Sequence, residues 1–198
     1  MLWYAEGVLT LQARPIKDRT SWRYLAAMHG IDAALWTAFG YLSEADKLPT
    51  KAEQGAFWNQ CQHQSWYFLP WHRGYLAAFE AIMRAAIVAK DGPSDWALPY
   101  WNYNATSPPS ANTLPHCFEF PTMPDGRPNP LAVKQRYGPN GSGKISLHAA
   151  DIALDALKDS VFTTTASGGS TGFGGRKTRF RHQGAHNSAG MLESQPHN

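Results

Sequence analysis

The sequence has few of the features that define several common classes of protein. Only two of its 198 residues are cysteines, too few for a disulfide framework. No apolar run approaches the roughly 20 residues that cross a bilayer, so no membrane contact is expected. The segment from Met1 to Arg14 lacks the basic start and continuous apolar middle of a secretory signal. The compartment therefore stays open.

Strong net charge is also missing, because 18 basic residues are nearly balanced by 15 acidic ones. The one basic cluster, from Arg176 to His182, lies in a glycine-rich stretch. A solvated loop is favoured there over a nucleic-acid contact. We therefore expect no nucleic-acid partner.

Aromatic residues are abundant, at 13% of the chain, and hydrophobic residues make up 43%. Aromatic side chains each bury a large area, so this composition predicts a globular domain with a well-filled interior. The first half of the chain has helical patterns. A short helix is predicted before Pro15. A second helix, which carries His29, is predicted to follow the capping residue Ser21. A third is predicted to start at Thr50, with Glu53 at the spacing of a capping box.

The clearest predicted helix begins at Pro70-Trp71-His72 and stops before Gly92-Pro93. Its predicted apolar stripe consists of His72, Leu76, Phe79, Met83 and Ile87. Arg73 and Glu80 fall on the polar side and are expected to form a surface pair. Residues 107–143 are rich in Pro, Gly and Asn and predict a long loop, and Leu147 to Leu157 has the spacing of one more helix.

Eight histidines are the candidate metal ligands, at positions 29, 63, 72, 116, 148, 182, 186 and 197. Any one of them on an apolar helix face is more often a hydrogen-bonded core residue than a ligand. His116 and His148 have no motif around them and are expected to have surface or capping roles.

The residues around His63 and His72 carry a specific resemblance. The segment His63…Phe68-Leu69-Pro70-Trp71-His72-Arg73…Tyr75-Leu76…Phe79-Glu80 resembles the copper A signature of the tyrosinase and polyphenol oxidase family of type 3 copper proteins. Met28-His29-Gly30 resembles the segment of the first ligand. Leu98-Pro99-Tyr100-Trp101-Asn102 is similar to the family's Pro-Tyr-Trp-Asp/Asn segment.

The resemblance implies a mainly α fold, an antiparallel helical bundle around a dinuclear copper site with long irregular loops. It makes residues 1–198 a copper-binding domain, with a copper A region at 20–103, a loop region at 104–175 and the start of a copper B region at 176–198. His29, His63 and His72 would hold copper A, with Phe68 and Phe79 packed against ligand rings.

Cys61 stands two residues before His63. In several family members a cysteine at this place forms a thioether to the histidine ring, which would lock the orientation of that ring. The alternative is a small buried thiol.

Two assignments compete for copper B. The stretch Gly190-Met191-Leu192-Glu193-Ser194-Gln195-Pro196-His197-Asn198 resembles the family segment that contains the first ligand, which makes His197 the preferred candidate. His182 and His186 have the i, i+4 spacing of one helical face, but nearby glycines disfavour a helix. With His197 as ligand, the second and third copper B histidines would lie beyond Asn198. We therefore expect a fragment that is inactive alone.

The implied function is oxidation of phenols or o-diphenols to o-quinones by dioxygen. The implied partners are dioxygen and a small phenolic substrate, and the oligomeric state stays open. The alternatives are a haemocyanin-like dioxygen carrier, a helical scaffold without copper, and a zinc site at His182 and His186, which is weak because two ligands complete no shell.

Overall fold

The computed structural model describes residues 1–133, 145–164, 171–180, 182 and 187–197. It contains five α-helices, which are α1 (Leu2–Gln12), α2 (Trp22–His29), α3 (Ala33–Ala38), α4 (Lys51–Phe57) and α5 (Phe68–Val88). Short 3-10 turns follow at His116–Phe118 and Leu154–Lys158, and a kinked turn at Glu193–His197. Two isolated β-bridges join described residues, Thr113 with Ser146 and Thr122 with Pro128. The prediction of a mainly α domain with long irregular loops is confirmed.

Among the described helices, none has the length and apolar character that a membrane span needs.

Side chains just before the helices explain where two of them begin. The Ser21 hydroxyl accepts a hydrogen bond from the Tyr24 N–H at 3.0 Å, so α2 starts at the predicted cap. Thr50 does the same for the Glu53 N–H at 3.2 Å and begins α4. Each cap satisfies one of the N–H groups that the first helical turn leaves unpaired.

The main core lies between α1 and α5. Val8 and Leu11 of α1 and Met83 and Ile87 of α5 are all buried in one cluster. The two helices approach closely at Gly7, where an added Cβ would lie 2.1 Å from the Met83 sulfur. This packing holds α5, which carries part of the site described below.

Two details of the α5 prediction are wrong. The helix begins at Phe68, two residues before Pro70. A proline fits anywhere in the first turn, where its missing N–H has no helical partner, so it marks the start only loosely. Leu76, predicted on the buried stripe, is 52% exposed.

Glu80 pairs with Arg84 rather than with Arg73. The second Glu80 oxygen accepts from the Leu98 N–H at 3.0 Å, and Arg84 donates to the Trp96 carbonyl at 2.5 Å. The pair therefore fastens the segment after α5 to the helix.

The helix predicted from Leu147 to Leu157 does not form. A 3-10 turn at Leu154–Lys158 is its only helical part, and both Leu154 and Leu157 are exposed. Ile152 and Ala156 of this segment are buried, but without a continuous helix.

We predict that Gly7→Ala lowers the free energy of unfolding by about 1–3 kcal/mol, because the new methyl group must displace the buried Met83 side chain. Denaturant titration measures this change. The matched control is Gly74→Ala in α5, where an added Cβ meets no atom within 4 Å. That variant should gain up to about 1 kcal/mol from helix propensity. Equal effects of the two variants would contradict the packing argument.

Candidate metal centre

His29 is the last residue of α2, and backbone hydrogen bonds fix what lies beside it. The Asn59 N–H donates to the Ala27 carbonyl at 3.0 Å, and the Gln60 N–H donates to the Met28 carbonyl at 2.9 Å. These bonds use carbonyls that the end of a helix leaves unpaired. They bring the residues after position 60 against the His29 ring.

His72 lies in the second turn of α5 with a defined ring orientation. Its Nδ1 is 2.7 Å from the Phe68 carbonyl oxygen. A carbonyl only accepts, so Nδ1 carries the proton and Nε2 keeps its lone pair. That Nε2 lies 3.3 Å from Nε2 of His29.

Cys61 and His63 complete the group. The Cys61 sulfur lies 3.3 Å from Nε2 of His29, 3.2 Å from Nδ1 of His63 and 3.6 Å from Nε2 of His72. One potential ligand atom from each of the four residues lies within 4.8 Å of the other three. We call His29, His63 and His72 the histidine triad. The triad and Cys61 together fit a metal site.

Burial keeps the imidazoles of this group neutral. Loss of solvent lowers the pKa of His63 to about 4, with neighbouring histidines adding to the effect. Burial likewise lowers the pKa of His29 and His72. Burial, followed by the charge of Glu193, raises the pKa of the Cys61 thiol to about 12. Neutral imidazoles offer their lone pairs to a metal without first losing a proton.

Aromatic side chains form the wall of the site. The Phe68 ring centroid is 4.5 Å from that of His72 and 5.9 Å from that of His63. Phe79 instead packs edge-on against Trp22 at 5.9 Å. The expected packing of both phenylalanines on histidine rings therefore holds for Phe68 only.

Both candidates for a second metal approach the triad. The His197 ring centroid is 5.5 Å from the ring centroid of His63 and 4.7 Å from that of Phe68. The His182 ring centroid is 6.5 Å from His63, and its Nδ1 is 2.8 Å from the Cys61 carbonyl oxygen. His186 lies outside the described residues.

The remaining histidines lie elsewhere, in the roles that the sequence predicts. His116 is exposed and pairs with Glu119, and the exposed His148 accepts from the Ala150 N–H in a turn.

A close crossing of two backbone segments positions the region around His197. Gly175 has a φ of +95°, and an added Cβ would lie 2.6 Å from the Ser188 carbonyl oxygen. The Arg176 N–H donates to that same carbonyl at 3.0 Å, and the Arg176 carbonyl accepts from the Trp66 N–H at 3.1 Å. The chain before His197 is thus tied to the segment that follows His63.

Glu193 is a buried acidic residue whose place the sequence analysis did not predict. One carboxylate oxygen accepts from the Gln64 N–H at 2.6 Å, and the other has no hydrogen-bond partner among the described residues. Burial raises the pKa of this carboxyl, and the backbone at Gln64 and Ser65 opposes that rise by hydrogen bonding. Glu193 belongs to the motif by which His197 was assigned, but the motif does not indicate its contact with Gln64.

Comparison with known proteins places these residues in a family. The family model described as the common central domain of tyrosinase matches residues 19–148. That range contains the whole histidine triad and Cys61.

Individual relatives agree with the family match. The tyrosinase HcTyr1 of Hahella sp. (strain CCB-MM4) is 39% identical over 99% of this chain and 42% of its own length. The chloroplastic (+)-larreatricin hydroxylase of Larrea tridentata is 41% identical over 34% of this chain and 11% of its own length. Polyphenol oxidase A1 of Vicia faba is 31% identical over 53% of the chain and 15% of its own length. The chain thus spans about two fifths or less of these relatives.

The metal-free chain should lose stability as the pH falls from the ordinary histidine pKa of 6.5 toward the value of about 4 for His63. In that pH range His63 is protonated in the unfolded chain but stays neutral in the folded chain, so acidification favours unfolding. Above pH 6.5 His63 is neutral in both states, so it no longer lowers the free energy of unfolding. His63→Gln should flatten the pH dependence of the denaturant midpoint. An unchanged slope in that variant would refute the assigned cause.

Proposed function

Because the chain belongs to the tyrosinase family, we propose that it forms the copper-binding part of an oxidoreductase that uses dioxygen to oxidise phenols or o-diphenols to o-quinones. Family membership implies copper. The names of the relatives, a tyrosinase and a polyphenol oxidase among them, support the reaction class.

The observation that carries the proposal is the convergence of the histidine triad. We assign these three residues as the ligands of one copper ion. The Nε2 atoms of His29 and His72 lie 3.3 Å apart, and the His63 ring adjoins both. Imidazole suits copper, which heads the affinity series of the divalent first-row metals.

His197 is proposed as the first ligand of a second copper ion. The Phe68 ring supports this choice, because it contacts the rings of His63, His72 and His197 together. His182 lies farther from the triad, since its ring centroid is 6.5 Å from that of His63, against 5.5 Å for the His197 ring. The remaining ligands of the second ion are not assigned among the described residues.

The protein's own contribution is to orient the ligands and exclude water. The Phe68 carbonyl holds the His72 ring with Nε2 toward the site. Stacked Trp71 and Tyr75 cover His29, and the Tyr75 hydroxyl donates to the Leu25 carbonyl at 2.8 Å, which ties α5 to α2. Bound copper would supply the electron exchange with dioxygen.

We keep the thioether between Cys61 and His63 as part of the proposal. The Cys61 sulfur lies 3.2 Å from Nδ1 and 3.5 Å from Nε2 of that ring, and the carbon Cε1 sits between these two nitrogens. Forming the bond removes one hydrogen from the thiol and one from the ring carbon. It therefore needs an oxidant, for which dioxygen is available as the proposed co-substrate.

We predict that the chain binds one copper ion tightly through the triad and that His72→Gln abolishes this binding. The reason is that His72 supplies one of three nitrogen donors. Competition titration with a Cu⁺ chelator measures the affinity. His116→Gln is the matched control, because His116 is exposed and outside the cluster. Equal loss in both variants, or none in either, would exclude the triad as the ligand set.

A chimera tests the reaction itself. This chain replaces the matching segment of HcTyr1, to which it is 39% identical. The chimera should oxidise catechol with dioxygen uptake, and His72→Gln in it should remove the activity. Reversible dioxygen binding without turnover would favour the carrier alternative and contradict the proposed enzyme.

A further inference from the structure

The Cys61 sulfur faces all three members of the histidine triad, which is more than a thioether to one ring requires. We propose that, while Cys61 is a free thiol, its sulfur and the triad form a closed four-donor site for one tetrahedral ion such as Zn²⁺ or Cu⁺. The inference rests on the ligand set of the proposed function and adds a second state of that site.

Four of the six distances between the donor atoms are close to those of a tetrahedral shell. Zinc bonds of about 2.0–2.1 Å to nitrogen and 2.3 Å to sulfur give edges of about 3.3 Å between nitrogens and 3.6 Å between nitrogen and sulfur. The observed nitrogen–nitrogen edge, between His29 and His72, is 3.3 Å. The edges from sulfur are 3.3, 3.2 and 3.6 Å. The two remaining edges join His63 to His29 and to His72 and lie within 4.8 Å, so one ion can reach all four donors once the His63 ring moves closer.

The donor chemistry selects the ion. One thiolate with three neutral imidazoles suits Zn²⁺, Co²⁺ and Cu⁺, whereas carboxylate and carbonyl oxygens suit Mg²⁺ and Ca²⁺. On binding, the S–H bond breaks, the sulfur–metal bond forms and the proton leaves to solvent. Neither the sulfur nor the metal changes oxidation state.

The two states of Cys61 have opposite consequences for the site. With thiolate bound, four protein donors fill a tetrahedral shell, which is the arrangement of a structural metal site without an open position. Joining the sulfur to the His63 ring carbon would remove the anionic donor and leave three imidazoles with an open position. The thioether would then convert a closed site into an open one.

Cobalt(II) tests this inference directly, because thiolate ligation gives a charge-transfer band in the near ultraviolet. The chain is produced without added copper, and a thiol titration after denaturation checks that both cysteines are free. The parent chain and Cys117→Ser should each bind one Co²⁺ with this band, and Zn²⁺ should bleach it. Cys61→Ser should lose the band and bind Co²⁺ roughly tenfold or more weakly. Removing a group that only hydrogen-bonds to a metal ligand already weakens metal binding by about tenfold or more, and removing a ligand should weaken it at least as much.

The result that overturns the inference is Co²⁺ bound without the band in the parent chain, or bound equally well by Cys61→Ser. Its failure is separable from that of the proposed function. If triad-dependent Cu⁺ binding persists while the band is missing, only the thiolate site is wrong. If neither metal binds through the triad, the copper assignment is wrong as well.

Discussion

The whole arrangement depends on bringing three half-buried imidazoles together in their neutral form. Desolvation lowers the pKa of all three rings, repulsion from neighbouring histidines adds to it at His29 and His63, and the shift is largest at His63. A buried neutral ring must still satisfy its remaining N–H group. At His72 the backbone carbonyl of Phe68 does so. The lone pair that remains at His72 lies on Nε2, which faces His29 and Cys61, so the condition that keeps this ring neutral also makes it a ligand.

Main-chain hydrogen bonds assemble the elements that carry these rings. The end of α2 is joined to residues 59 and 60, and Trp66 is joined to Arg176 and through it to Ser188. Glu193 adds a side-chain bond to the Gln64 N–H. The helices supply rigidity through the α1–α5 core, while irregular segments determine how closely the rings approach. The site therefore depends as much on loops as on helices.

The sequence predicted those features that local chemistry or a specific motif determines. Ser21 and Thr50 mark helix starts because a single side chain caps each helix. The triad was found through the motif around His63 and His72, since helical periodicity alone cannot distinguish a ligand from a core histidine.

Features that depend on distant partners could not be predicted in this way. Glu80 joins Arg84 at the i, i+4 spacing of one helical face rather than Arg73, and the contact of its second oxygen with the Leu98 N–H is the part that no local spacing indicates. The apolar spacing around Leu154 and Leu157 suggested a helix, but these two side chains are exposed and only Ile152 and Ala156 of the segment are buried. The contact between Glu193 and Gln64 joins residues 129 positions apart. No local pattern contains that information.

The hydrogen bond between His72 and the Phe68 carbonyl has an evolutionary consequence. Its acceptor belongs to the main chain, so replacing the side chain at position 68 changes the aromatic cover of the pocket but leaves the tautomer of the imidazole intact. Point substitutions at position 68 can therefore change the aromatic wall of the pocket, while Nε2 of His72 keeps its lone pair. Only an insertion or deletion that shifts the start of α5 would alter both at once.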